Sequence, residues 1–212
     1  MPIHLPGPAP RKEIVKKTHL VLPLLLLAAA LALSACGGSS SGGGEEAKVE
    51  EAIEESATSS DPSKCTEFQT AAFNENESGQ KGAAATKACE EEAEAKEDDA
   101  ETVNVSNVKV NGESATAEVE VEGTGLNGQS VEVEVVEEGG NWKLNKFLGF
   151  TKFDAASLAE VLEKELAKEE GVSPELAKCV SEGVAELSQS EAESMVFEKD
   201  LKPVEEIAKS CE

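Results

Sequence analysis

The chain has 212 residues, 43 of them acidic against 19 basic, giving a formal net charge of −24, with two histidines and no tyrosine. Such an excess of carboxylate repels nucleic-acid phosphate instead of neutralising it, which excludes nucleic-acid binding. Imidazole and phenol, common general acid–base groups, are scarce or absent, which argues against side-chain catalysis.

Arg11, Lys12, Lys16 and Lys17 form a basic segment ahead of an apolar run from Leu20 to Leu33, interrupted only by Pro23. The run has the length of a signal-peptide core and falls short of the roughly 20 residues that a spanning helix needs. It closes on Leu33-Ser34-Ala35-Cys36. These four residues resemble a bacterial lipobox, the site where signal peptidase II cuts before a lipid-modified cysteine. The resemblance implies a signal peptide over residues 1–35, lipid on Cys36, and a mature protein anchored to the extracytoplasmic face of the cell membrane. Both histidines, His4 and His19, lie before the cut, and the remaining 177 residues carry 15 basic and 42 acidic side chains, a net charge of −27. Residues 36–44 are then the lipidated cysteine and a tether, Gly-Gly-Ser-Ser-Ser-Gly-Gly-Gly, with a typical reach of roughly 16 Å. Each buried acyl methylene contributes about 0.8 kcal/mol, so two or three chains anchor stably. The domain beyond is too acidic to be drawn to an anionic surface, leaving the lipid as the membrane contact.

The pattern over residues 45–152 predicts helices followed by strands. Glu45 to Ala57 places Val49, Ala52 and Ile53 on one helical face, and a polar interval, Thr58 to Lys64, follows. Thr66 to Phe73 and Ala83 to Lys96 suggest two further short helices, with Asn74 to Gly79 as the loop between them. The period then changes to two. Val103 and Val105 alternate, and Val108 and Val110 resume in the opposite phase, which predicts a bulge near Ser106-Asn107. Ala115 to Val121 and Val131 to Val135 alternate apolar residues with Thr116, Glu118, Glu120, Glu132 and Glu134, and Trp142 and Leu144 mark a last strand. Four such strands describe an antiparallel sheet covered on one side, in an α+β fold.

Helices followed by a curved sheet that ends in Gly140-Asn141-Trp142-Lys143-Leu144-Asn145-Lys146-Phe147 resemble the NTF2-like superfamily of cone-shaped domains, and its small secreted lipoproteins in particular. The last strand carries the resemblance. It implies an NTF2-like cone over residues 45–152. Enzymes of that superfamily are isomerases and dehydratases that use Asp, His or Tyr within the cone. No residue here matches those catalytic positions, and glutamates that alternate with the valines are expected to point away from the cone.

Residues 153–212 read as a small all-α module. Asp154 can cap a helix bearing Leu158, Val161, Leu162 and Leu166, which Gly171 ends. Ser173-Pro174 opens a second, with Leu176, Cys179, Val180, Val184 and Leu187 on one stripe. Ser188 and Glu191 fit a capping box for a third, and Pro203 opens a last helix with Val204, Ile207 and Cys211. The module is similar to helical tails of secreted actinobacterial proteins.

With Cys36 taken by lipid, Cys65, Cys89, Cys179 and Cys211 remain in a compartment where disulfides persist. Three pairings are open. Cys65–Cys89 with Cys179–Cys211 is preferred, because each pair lies within one compositional segment. Their spacing does not suit a metal site. Gly123-Thr124-Gly125-Leu126-Asn127-Gly128 matches a dinucleotide-binding pattern by letter, but a strand and not a helix follows it, so it reads as a hairpin loop. The glutamate rows Glu118/Glu120/Glu122 and Glu132/Glu134 read as a solvated face and not as a Ca²⁺ site.

The expectation from sequence is a non-enzymatic, lipid-anchored envelope protein without cofactor. Its cone would bind an envelope protein or a small apolar ligand. The alternatives are an isomerase- or dehydratase-type enzyme working with carboxylates alone, which needs an acid inside the cone with a raised pKa, and an acidic cation-binding spacer.

Overall fold

Alternation of valine with polar residues decides the sheet. β1 (Thr102–Asn111), β2 (Ser114–Glu122), β3 (Ser130–Glu138) and β4 (Asn141–Lys152) form one four-stranded antiparallel meander in that order. The structure is a computed structural model that describes residues 43–95, 100–169 and 172–211, and these described residues belong to one compact unit. Cys36 and the signal-peptide and tether segments before residue 43 lie outside the described residues. The phase switch within β1 appears as a register shift between Ser106 and Lys109, with Asn107 at a φ of 53°. A bulge there lets valines on both sides of it remain half-buried.

Among the described residues, four helices precede the sheet: α1 (Gly43–Thr58), α2 (Lys64–Glu67), α3 (Ala71–Ser78) and α4 (Ala83–Ala95). The single helix expected over Thr66–Phe73 is broken, and the loop expected at Asn74 to Gly79 is mostly helix. The cause is a pairing with β4. Leu144 N–H donates to the Phe68 carbonyl at 2.8 Å, and Thr70 N–H donates to the Leu144 carbonyl at 3.0 Å. A backbone engaged with a strand cannot continue a helix. Thr70 then restarts one, its hydroxyl accepting the Phe73 N–H at 3.0 Å, and α3 runs on to Gly79, whose φ of 66° stops it. The Cys65–Cys89 disulfide ties α2 to α4.

After the sheet come α5 (Ala155–Leu166), α6 (Pro174–Val184), α7 (Gln189–Phe197) and α8 (Lys202–Ser210). Asp154 caps α5 by accepting from Ala156 and Ser157 N–H, Ser173 caps α6, and Ser188 with Glu191 makes the capping box of α7. Leu158, Ala159, Val184 and Ala192 of these helices are buried in the same core as Val119, Val131 and Val133 of the sheet and Val49 and Ile53 of α1. Phenylalanines carry the junction. Phe197 of α7 lies 5.4 Å from Phe147 and 4.8 Å from Phe150, and Phe147 lies 5.5 Å from Phe73 of α3.

The second disulfide, Cys179–Cys211, ties α6 to the residue that follows α8. The two helices touch closely. A Cβ built on Gly183 of α6 would stand 2.3 Å from Ile207 Cγ2 of α8. Gly183→Ala is therefore expected to destabilise the protein by about 1–3 kcal/mol through overpacking, despite alanine's better helix propensity. Urea unfolding measures it, and an unchanged midpoint would show that α8 yields freely.

Candidate functional site

The apolar faces of the helices do not meet the sheet everywhere. Between them lies a cavity of about 610 Å³. Val119, Val121, Val131, Val133, Leu144 and Phe147 form its sheet wall. Ile53, Phe73 and Ala93 close it from the first helices, and Leu158, Val161, Leu162, Met195 and Val204 from the last ones. Thr124, Gly125 and Leu126 of the β2–β3 loop also line it. The glycine pattern expected to be a hairpin loop is one, and β3 follows it directly.

One end of the cavity is polar. Ser56 of α1, Lys64 of α2, Gln69 between α2 and α3, and Asn74 of α3 are all buried and line it beside Cys89. Gln69 Nε2 donates to Ser56 Oγ at 3.0 Å and reaches the Ser56 carbonyl at 3.4 Å. Gln69 Oε1 lies 3.1 Å from Cys89 Sγ. The sulfur belongs to a disulfide and carries no hydrogen, so it gives Gln69 Oε1 no hydrogen bond. Asn74 Nδ2 donates to the Cys65 carbonyl at 2.7 Å, while Asn74 Oδ1 is buried without a hydrogen-bond partner among the described residues. Two side-chain amides thus stand beside the Cys65–Cys89 disulfide, and Asn74 Oδ1 is the buried one without a donor among the described residues.

The rim carries charge. Glu77, Glu92, Glu165 and Lys199 are among the lining residues, and Lys199 Nζ lies 3.2 Å from Glu77 Oε2. Beside that pair, Asn76 Nδ2 donates to the Phe197 carbonyl at 3.2 Å. The corner between α7 and α8 is thereby fastened to α3.

The sheet glutamates lie on the face opposite the cavity, as the alternation predicts. Their register explains how the charge is tolerated. Only Glu118 stands directly opposite another of them, Glu132; Glu120 faces Ser130 and Glu134 faces Thr116 and Lys146. Donors occupy the row. Asn107 and Thr151 donate to Glu118, Ser130 to Glu120, Thr102 to Glu122 and Asn145 to Glu134. Among the described residues, no group of three or more His, Cys, Asp or Glu is arranged to hold a metal ion.

Among the described residues, four carboxylates sit below their usual pKa range, and none of them lines the cavity. Hydrogen bonds from Lys48 and then Trp142 lower Glu45. The Gly82 N–H and then Lys81 lower Glu75. Ser157 N–H lowers Asp154, and the Ser188 hydroxyl and N–H lower Glu191.

Of the cysteines singled out from sequence, Cys65 and Cys89 are buried beside the polar end of the cavity, whereas Cys179 and Cys211 lie at the α6–α8 edge. Trp142 is buried in the core and is not a cavity residue; its Nε1 donates to Glu45 Oε2 at 3.0 Å. Sequence reasoning missed Gln69 and Asn74. They are isolated amides in short segments, and no spacing distinguishes them.

The geometry defines an α+β protein with two disulfides and an apolar cavity having one polar end. Residues 77–147, from the end of α3 into β4, match the family model described as the C-terminal domain of the low molecular weight antigen MTB12. The match covers about a third of the chain and fits an actinobacterial origin. No significant match was found among curated proteins or among solved structures. No helix among the described residues is long and apolar enough to cross a membrane.

Proposed function

We propose that this chain is a lipid-anchored protein of the cell envelope whose NTF2-like cone is a non-catalytic binding module for a small, mostly apolar ligand. The cavity carries the proposal. At about 610 Å³, walled by valine, leucine and phenylalanine with a few convergent polar groups, it has the size and chemistry of small-molecule sites. Among the described residues, the carboxylates that line the cavity, Glu77, Glu92 and Glu165, are exposed, and the sheet glutamates lie on the opposite face. The lipobox-like Leu33-Ser34-Ala35-Cys36 supports the anchor, and the match to an antigen family supports an envelope-associated protein.

Native mass spectrometry of residues 37–212, exported to an oxidising compartment and purified gently, tests the binding. A non-covalent molecule that leaves on activation is expected. A bare chain, even after incubation with membrane lipid extract, would move the role to protein–protein interaction. The anchor has its own test. Cys36→Ser in the full chain is expected to transfer the protein from the membrane fraction to the aqueous phase. Continued membrane retention would rule out lipid as the anchor.

A further inference from the structure

The two disulfides differ in what shields them and in what they hold. Cys65 is 1% exposed and Cys89 9%, and their bond lies inside the molecule beside the polar end of the cavity. Cys179 and Cys211 are half-buried, and their bond lies at the α6–α8 edge. Thiol–disulfide exchange needs a thiolate to reach a sulfur, so exposure separates a bond that exchanges in the folded protein from one that waits for unfolding. α8 widens the difference. It has no fully buried residue and rests on α6 and α7, so local opening uncovers the outer bond at less cost than global unfolding. Val204 of α8 and Leu201 just before it line the cavity, so whatever holds α8 also holds that wall. We propose, resting on the cavity being a ligand site, that Cys179–Cys211 is a redox latch. A dithiol reductant opens it while Cys65–Cys89 stays oxidised, α8 comes away from the wall, and the ligand is released.

The exchange balances with the dithiol as reductant. One of its thiolates attacks Cys179 or Cys211 Sγ, which breaks the bond between them, forms a mixed disulfide and releases the other cysteine as a thiolate. The second sulfur of the dithiol then displaces the protein sulfur. Two electrons and two protons pass to the cysteines, and the reductant leaves as its own disulfide. Neither cysteine of the latch lines the cavity, so its polar end, with Ser56, Gln69 and Cys89, keeps its structure through the change. Oxidation fastens α8 again, and the oxidised state is the closed one.

The test treats residues 37–212, which contain all the described residues, with rising dithiothreitol or with thioredoxin under native conditions. Thiols are trapped with iodoacetamide and located by peptide mass, and Nile red bound in the cavity is followed as it leaves for excess phosphatidylcholine vesicles. Cys179 and Cys211 are expected to be alkylated at reductant levels that leave Cys65 and Cys89 paired. Over the same range Nile red should leave about tenfold faster or more, the factor that about 1.4 kcal/mol in the opening equilibrium gives. Opening by thioredoxin supports a protein dithiol as the reductant, and opening by dithiothreitol alone supports a small one. Cys179→Ser with Cys211→Ser should release the dye fast with or without reductant; the alkylation pattern of the unsubstituted protein stands even if that variant folds poorly. Reduction of both disulfides together, of neither, or of the outer one with an unchanged release rate would each overturn the latch and leave the cavity as a binding site. If Nile red does not bind the oxidised protein at all, the binding-module reading itself fails.

Discussion

Cys179→Ser with Cys211→Ser is expected to lower the free energy of unfolding by about 3–4 kcal/mol and to release α8 from the rest of the protein. The first figure follows from the 32-residue separation of the two cysteines and the entropy that the cross-link removes from the unfolded chain. The second follows from how little else holds the helix. α8 has no fully buried residue; it rests on α6 and α7 through half-buried Val204 and Ile207. An element attached by so few apolar contacts opens locally before the molecule unfolds. Hydrogen exchange should therefore show the amides of 202–210 losing protection selectively. The comparison is Cys65→Ser with Cys89→Ser, which removes a cross-link of 24-residue separation from the interior. That variant should lose a similar total stability with no selective effect on α8. Full protection of α8 in the first variant would mean that the Gly183–Ile207 packing suffices to hold it.

The consequence reaches the cavity, because Leu201 and Val204 belong to its lining. Leu201 is 58% exposed, the most exposed large apolar side chain among the described residues, and it lies where the α7–α8 corner crosses the rim. Lys199 in that corner has a φ of 57°, unusual for a residue with a side chain, and it is held by Glu77. A freed α8 would open this side of the cavity and should speed the exchange of the ligand proposed for it.

Much of the sheet was legible because valine alternates with polar residues at a period that admits one structure. The bulge was legible for the same reason, since the change of phase at Ser106-Asn107 has no other simple cause. Caps at Asp154, Ser173 and Ser188 were legible because each local motif satisfies the first backbone N–H groups of its own helix. The break between α2 and α3 was not, because it is imposed from outside. Phe68 and Thr70 pair with Leu144, far along the chain, and nothing near them announces a strand partner. An amphipathic stripe likewise says that a face is buried without saying against what. The stripe with Leu158 fixed α5 as a helix, but its burial with the sheet valines depends on a long-range contact. The polar end of the cavity was hidden for both reasons. Gln69 and Asn74 are ordinary surface residue types, and their burial comes from the strand pairing and the disulfide that surround them.

Trp142→Ala is expected to cost about 3–5 kcal/mol, the usual loss when a buried indole is deleted. Trp142 is 4% exposed on β4, within the core that joins the sheet to α1, and neighbouring side chains cannot fill so large a void. Trp142→Phe separates packing from hydrogen bonding. It keeps an aromatic ring but removes the Nε1–H that donates to Glu45 at 3.0 Å, so its loss should be smaller and dependent on pH. Glu45 is held below its usual pKa by Lys48 first and by Trp142 second. A carboxyl with a depressed folded pKa adds stability above its unfolded value of about 4.3, and that stability is lost as pH falls through the folded value. The stability difference between Trp142→Phe and the unsubstituted protein should therefore narrow on going from about pH 7 to about pH 3, as Glu45 takes up its proton. Urea unfolding followed by far-ultraviolet circular dichroism reads both proteins alike. The unsubstituted protein has one tryptophan and no tyrosine, so its fluorescence also reports this residue alone. A difference that stays constant over that range would assign the whole effect to packing and remove the indole–carboxylate bond from the account of how α1 is held to the sheet.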